Sequence, residues 1–201
     1  MYTFLETFIE NEVVLKSNFI ALLFHVTSLE EVNDKLVLSK KKYPKAKHYC
    51  YAYKINELEK GYDAGEPLKV ASKPLLDLIK FEQLNEILIV VVRYFGGSLL
   101  GAARLSRTYR NVANSVIKKG KKYKIAYLNV YPLEVDYSTY ELLLKDEQRE
   151  NFRLENVSFS DTIKLKVLSE SDLTNYLRQL LKKEDIISLE NKEKAYLEVD
   201  K

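Results

Sequence analysis

Residues 87–124, ILIVVVRYFGGSLLGAARLSRTYRNVANSVIKKGKKYK, hold nine Lys or Arg and no Asp or Glu. The segment opens on six consecutive branched apolar residues, Ile87 to Val92, breaks at Gly96-Gly97, and runs on into Arg104, Arg107 and Arg110. Six apolar positions in a row leave no polar face, so residues 87–95 are predicted to form a strand buried on both sides. Beyond the glycines the spacing becomes helical. Leu105, Tyr109, Val112 and Val116 fall on one stripe of a helix over residues 101–118, while Arg104, Arg107, Asn111, Asn114 and Lys118 fall opposite. The first set is a core face and the second a solvated, basic one. Two architectures satisfy this pattern. One is a strand–loop–helix whose free N–H groups cradle a phosphate-bearing ligand. The other is a rigid corner that presents a basic face to a polyanion. The Gly96-Gly97 run has no Gly-Lys-Ser/Thr after it and fits neither a phosphate loop nor a dinucleotide fingerprint.

Charge is spread unevenly. Residues 1–126 hold 21 Lys/Arg against 13 Asp/Glu, a balance of +8, whereas residues 127–201 hold 11 against 16, a balance of −5. Such asymmetry marks either a polyanion-binding part or two domains of different surface composition, and it places a boundary near residue 126. The 201 residues, 46% hydrophobic and 30% charged, suffice for two small domains with real cores. No apolar run approaches the roughly 20 residues that span a bilayer, so no membrane partner is expected. Glu6, Glu10 and Glu12 stand where a signal peptide would need a basic start. The single cysteine, Cys50, excludes an internal disulfide and fits a cytoplasmic setting.

The remaining elements follow from local signals. Residues 6–26 read as two β-segments broken near Asn11-Glu12, and Ser28-Leu29-Glu30-Glu31 as a capping box opening a helix that ends before Pro44. Residues 46–55 are strand-like, 56–71 a loop, and Ser72 the N-cap of a further helix. Gly120, with positive φ open to it, ends the basic helix. In the second half the order is a strand over 125–135, a helix capped at Ser138, a hairpin about Ser160-Asp161, a helix carrying Leu173, Tyr176, Leu177 and Leu180 on one face with Lys182-Lys183 near its end, and a strand over 186–199. That βαββαβ order is the ferredoxin-like split βαβ. The expected fold is α+β, with domains over 1–126 and 127–201.

Arg93, Arg104, Arg107, Arg110, Lys118, Lys119, Lys121 and Lys122 are the candidate nucleic-acid contacts, since guanidinium forks suit phosphate. Tyr43, Tyr49, Tyr51, Tyr53, Tyr94 and Tyr123 are candidate stacking platforms for unpaired bases. Lys40-Lys41-Lys42 extends the basic face only if its helix lies alongside residues 101–118. A second class of function, an enzyme or small-ligand binder, needs a pocket between loop 63–74 and Gly96-Gly97 that gathers His48, Asp63, Glu66 and Lys73. His48 and Cys50 share one strand face but lack the partners of a catalytic pair or a zinc site; no catalytic residue, metal or cofactor is expected.

The same residues resemble a known family. Arg93-Tyr94-Phe95-Gly96-Gly97, Leu100-Gly101 and Arg107-Thr108-Tyr109 are similar to the Arg-Tyr-Phe-Gly-Gly-x-x-Leu-Gly…Arg-Ala-Tyr signature of the YigZ/IMPACT family. His48-Tyr49-Cys50-Tyr51-Ala52, Asp63-Ala64-Gly65-Glu66-Pro67 with Lys73-Pro74, and Lys16-Ser17-Asn18-Phe19-Ile20-Ala21 resemble three further segments of its pattern. The resemblance implies an N-terminal domain of the ribosomal-protein and elongation-factor type. It also implies a ferredoxin-like C-terminal domain similar to the final domain of elongation factor G. Its bacterial branch is associated with nucleic-acid binding and its eukaryotic branch with translational regulation through protein partners. RNA or the ribosome is therefore the expected partner, with a protein partner in translational control as the alternative. The chain departs from the pattern where Lys69, Val70, Ala71 and Ser72 replace a Gly-Thr-Ala-Gly run and Ala103-Arg104 replaces Gly-Gly. Lys69 and Arg104 thus add charge where the pattern has space, which favours an open basic surface over a compact phosphate pocket.

Overall fold

The computed structural model describes residues 1–181 and 190–199. In chain order the elements are β1 (Tyr2–Thr3), β2 (Phe8–Val14), β3 (Ser17–His25), α1 (Leu29–Lys42), β4 (His48–Ile55), β5 (Leu58–Tyr62), α2 (Ser72–Phe81), β6 (Ile87–Tyr94) and α3 (Ala102–Lys119). They continue as β7 (Tyr123–Val135), α4 (Tyr137–Asp146), β8 (Phe152–Phe159), β9 (Ile163–Ser169), α5 (Thr174–Leu180) and β10 (Glu190–Glu198). Two compact units result, Met1–Lys124 joined by the segment from Glu198, and Ile125–Leu197. The mixture of helices with antiparallel sheets is α+β. The Lys182-Lys183 end of the last helix and the expected start of the final strand at Ile186 lie outside the described residues.

The first unit is a three-layer sandwich. Its sheet runs β2-β3-β6-β4-β5, with every neighbouring pair antiparallel. The apolar run 87–92 is the central strand. Its Ile87, Ile89 and Val91 join Phe19, Leu23 and Cys50 beneath α2 and α3, and its Leu88, Val90 and Val92 join Ile20, Leu22 and Phe24 beneath α1. A strand between two helical layers has no wet face, which is why its alternation disappears. Residues 58–62, expected as loop, form the edge strand β5 paired to β4 from Tyr51↔Tyr62 to Ile55↔Leu58. The sheet-edge residues LEKGY are mostly exposed, so no apolar pattern announces them.

Local signals held at some termini and failed at others. Ser28 caps α1 by accepting the Glu31 N–H, but Glu31 reaches back to the Thr27 N–H at 2.6 Å rather than to Ser28. Gly120 closes α3 with φ −79°, outside the left-handed region. Glycine is needed there for space, since a Cβ would lie 2.5 Å from the Phe4 ring. In the second unit α4 is capped by Asp136, which accepts the Thr139 N–H at 2.7 Å, instead of by Ser138. The second unit places β10 beside β7, then β9 and β8, so the fourth strand of the βαββαβ order neighbours the first. Its helices cover one sheet face, where Leu143, Leu173 and Leu177 pack on Tyr131, Leu133 and Val167. No helix among the described residues is long and apolar enough to cross a membrane.

The β2–β3 hairpin turns at Leu15-Lys16, both with positive φ, and Val14 pairs with Ser17. The expected break at Asn11-Glu12 does not occur; those residues pair with Ile20 and Phe19. Gly96 lies against this turn. A Cβ on Gly96 would stand 2.1 Å from the Lys16 carbonyl carbon and 2.3 Å from the Ser17 nitrogen, and the Gly96 N–H donates to Ser17 Oγ at 3.0 Å. Backbone cannot yield to an added methyl, so Gly96→Ala is expected to cost about 2–3 kcal/mol. Gly97 has φ +90° and open space around it, so Gly97→Ala carries only the left-handed penalty of about 1–2 kcal/mol. Denaturant unfolding of the two variants beside the parent checks the ranking.

Candidate functional site

Arg93 is the penultimate residue of β6, and its side chain is on the α2/α3 side of the sheet and is 4% exposed. Its Nη1 donates to Glu66 Oε1 at 2.6 Å, and the Tyr109 hydroxyl on α3 donates to the same oxygen at 2.7 Å. The guanidinium carbon stands 5.1 Å from the Phe19 ring centroid and 5.5 Å from that of Phe95. Its Nε has no hydrogen-bond partner among the described residues. Arg93 is therefore an interior cation and is removed from the candidate nucleic-acid contacts. Its charge is already matched by a buried carboxylate.

His48 and Cys50 complete this interior network. The His48 Nδ1–H donates to the Ala64 carbonyl at 3.0 Å, and Nε2 stands 3.9 Å from Glu66 Oε1. The Cys50 thiol donates to the Asp63 carbonyl at 2.9 Å and lies 3.3 Å from the Tyr109 hydroxyl. Burial pushes the thiol up to about 12, opposed only in part by the Tyr109 hydrogen bond. It stays protonated at neutral pH, whereas a cysteine nucleophile must be thiolate. Burial likewise raises the Tyr109 phenol far above its ordinary value.

Asp63 performs a different task. Its carboxylate accepts the backbone N–H groups of Lys69 (2.9 Å), Ala71 (3.0 Å) and Ser72 (2.8 Å), and the Ser72 hydroxyl (2.8 Å). The residue that caps α2 thus lies nine positions upstream of Ser72, and Ser72 itself is the first helical residue. Burial alone would raise the Asp63 pKa, but the Ser72 and Lys69 N–H groups and the Ser72 hydroxyl outweigh it and hold the carboxyl below its ordinary range. His48 Nδ1, the Asp63 carboxylate and Glu66 Oε1 are engaged by protein groups rather than turned toward Gly96-Gly97. Among the described residues no group of three His, Cys, Asp or Glu side chains is placed to hold a metal ion.

The basic helix is real and its outer face is wet. Leu105, Tyr109, Val112 and Val116 are buried, whereas Arg104, Arg107, Arg110 and Lys118 are exposed with no acidic partner among the described residues. The other candidate lysines are engaged: Lys119 with Glu10 at 3.2 Å, Lys121 with Glu198, and Lys122 with Glu82. The tyrosines do not join this face. Tyr43, Tyr49, Tyr51, Tyr53 and Tyr94 pack on the sheet face beneath α1, on the other side from α3. Lys40 goes with them, into a cleft of about 220 Å³ that also holds Lys47, Tyr49, Tyr51 and Tyr62. The Lys40-Lys41-Lys42 cluster at the end of α1 therefore does not extend the α3 face. Tyr123 stands under Lys121, whose Nζ is 5.8 Å from its ring centroid.

Sequence reasoning missed a cleft of about 330 Å³ between α2 and α3, where Lys69, Lys73, Ser106, Arg107 and Arg110 come together. The presence of Lys69 in place of glycine was its one visible trace.

These features define an α+β protein of two units, whose first unit is locked by a buried Glu–Arg–Tyr cluster and carries an unmatched basic helix outside. The Impact N-terminal domain model matches residues 15–117, and the chain belongs to the IMPACT family. An IMPACT family member of Haemophilus influenzae is 34% identical over 152 residues, covering 73% of this chain and 73% of that protein. The IMPACT family member YvyE of Bacillus subtilis is 29% identical over 170 residues, covering 83% and 78%. A solved structure described as that of a hypothetical protein superposes with a TM-score of 0.62 at 22% identity, covering 96% of this chain and 98% of its own, a likeness of fold alone.

Three outcomes follow for stability. Glu66→Ala strands Arg93 and the Tyr109 hydroxyl in the interior and is expected to cost about 3–5 kcal/mol. Glu66→Met combined with Arg93→Met is expected to cost less than the sum of the two single changes in chemical denaturation. For Asp63, the lowered folded pKa means stability that is present above the ordinary Asp range and lost as pH falls through the folded value. The stability gap between the parent and Asp63→Asn is therefore expected to be full at neutral pH and to shrink below about pH 4. Denaturant midpoints measured at both ends of that window check it.

Proposed function

We propose that this protein is a cytoplasmic RNA- or ribosome-associated binding protein that docks its partner on the exposed face of α3, in the service of translational control. The observation that carries this reading is the set Arg104, Arg107, Arg110 and Lys118, four exposed cations on one 18-residue helix with no acidic partner among the described residues. Lys119, Lys121 and Lys122 a few residues on are each paired with an acid, so the unpaired run on this helix spans Arg104 to Lys118. From Arg104 to Lys118 the helix rises about 21 Å, which matches about six phosphates of a strand at about 3.4 Å each. The +8 balance of residues 1–126 supports steering of a polyanion to this domain, and the −5 balance of residues 127–201 assigns it no phosphate contact. The engagement of His48, Cys50, Asp63 and Glu66 by other groups of the protein speaks against an enzyme centred on the family motif.

The test is binding of a labelled single-stranded RNA over a series of salt concentrations. Four phosphates neutralised predict a slope of log K against log salt of about −3. Arg104→Ala/Arg107→Ala/Lys118→Ala leaves one of the four cations and is expected to bring the slope to about −1 with a large loss of affinity at low salt. Equal, salt-independent behaviour of the two proteins would overturn the reading and leave protein partners as the occupants of this face.

A further inference from the structure

The cleft between α2 and α3 lies at one end of the α3 basic face and differs from it in chemistry. Lys69, Lys73, Arg107 and Arg110 line it, with Ser106 supplying a hydroxyl and Asp77 the single carboxylate. Lys73 already holds Asp77, Nζ to Oδ2 at 2.9 Å. Four cations against one carboxylate leave a formal +3 in about 330 Å³, a volume at the low end for a ligand site. A run of phosphodiesters does not fit such a space, but one phosphate with part of its nucleotide does. Neither helix brings an acid to the cleft in its first turn, and α3 opens at Gly101 without a side-chain cap. The positive end of α3 therefore adds to the lysine and arginine charges, whereas that of α2 is already met by the Asp63 carboxylate.

Lys69 is the informative residue. Its φ is +61°, a left-handed backbone that glycine would adopt at no cost and that an L side chain adopts at about 1–2 kcal/mol. Asp63 fixes that backbone by accepting the Lys69 N–H and the two N–H groups of Ala71 and Ser72. The lysine stem thus leaves a rigid loop at the rim of the cleft, so little of the ordering cost remains to be met on binding.

We propose that this cleft binds a terminal phosphate monoester, and that on RNA it seats the 5′-phosphate while the strand continues along α3. The inference rests on the RNA reading for its source of phosphate, but not for its chemistry. A monoester carries a charge of about −1.5 to −2 at neutral pH, which the +3 cleft matches better than the single charge of a diester. Arg104 and Lys118, which do not line the cleft, remain to hold the following phosphates.

The experiment compares 3′-labelled RNA 10-mers of one sequence bearing a 5′-phosphate or a 5′-hydroxyl, with AMP as the free monoester, on the full chain and on Lys69→Gly. Glycine keeps the left-handed backbone and removes only the cation, so a folding defect cannot mimic the result. The expected outcome is binding about 10-fold tighter for the 5′-phosphate RNA, competition of that increment by AMP, and its loss in Lys69→Gly with 5′-hydroxyl RNA binding changed less than about 2-fold. The increment should also shrink at pH 5, below the second phosphate pKa of about 6. AMP binding that depends on Lys69, with neither RNA bound, would support the cleft and sink the RNA reading. Equal binding of the two RNAs without AMP binding would sink the cleft and leave the RNA reading standing. A Lys69→Gly loss that is the same for both RNAs would also overturn it, reducing Lys69 to one more docking cation. Absence of all binding would overturn both.

Discussion

The carboxylate of Glu66 holds the first unit together. One of its oxygens receives both the Arg93 guanidinium from β6 and the Tyr109 hydroxyl from α3, so a loop, the central strand and the basic helix meet on a single atom. Arg93 also gives β6 its register. The six residues before it are apolar on both faces, and a slip by one position would exchange one greasy layer for the other at little cost. It would also turn Arg93 toward the α1 side, away from Glu66, and leave an unpaired charge buried there. An ion pair of this kind is a weak source of net stability but a strong source of specificity, since every alternative arrangement strands a charge.

The same loop shows how residues that look like a site can be wholly structural. Asp63, Glu66 and His48 are polar groups of the kind a ligand pocket would gather, yet each is engaged within the protein, by backbone N–H groups, a guanidinium and a carbonyl respectively. A loop crossing the end of a sheet must satisfy its own polar backbone, and carboxylates do this efficiently. Gly96 belongs to the same class. Its missing side chain makes room for the Lys16-Ser17 backbone and not for a ligand, which answers the phosphate-cradle reading of the double glycine.

What could be read from the sequence was whatever depends on near neighbours. The apolar run of β6, the two faces of α3 and the Ser28 cap of α1 involve residues within a turn or a strand of one another, and all three appear in the structure. The βαββαβ order was legible for the same reason. Hidden were contacts closed over long separations. The cap of α2 comes from Asp63, nine residues away, and the ion partners of Lys119, Lys121 and Lys122 are Glu10, Glu198 and Glu82. The edge strand β5 was hidden because its exposed residues carry no alternation. Arg93 looked like its helical neighbours in composition, and only the tertiary position of Glu66 separates an interior arginine from a surface one.

The placement of acids, more than that of bases, shapes the charged surface. Of the acids in the basic half, Asp63 is spent on backbone N–H groups and Glu66 on Arg93, and Glu10 and Glu82 reach Lys119, the last residue of α3, and Lys122 just beyond it. None reaches Arg104, Arg107, Arg110 or Lys118 among the described residues. On α3 the unmatched charge consequently lies on the face that begins beside the α2–α3 cleft, and the Asp63 loop that stabilises α2 is also the one that sets Lys69 at its rim. A single carboxylate thus links interior stability to the exterior site. Weakening the Asp63 cap would loosen the loop, free the Lys69 stem and raise the ordering cost of any anion bound there, without altering one charge in the cleft.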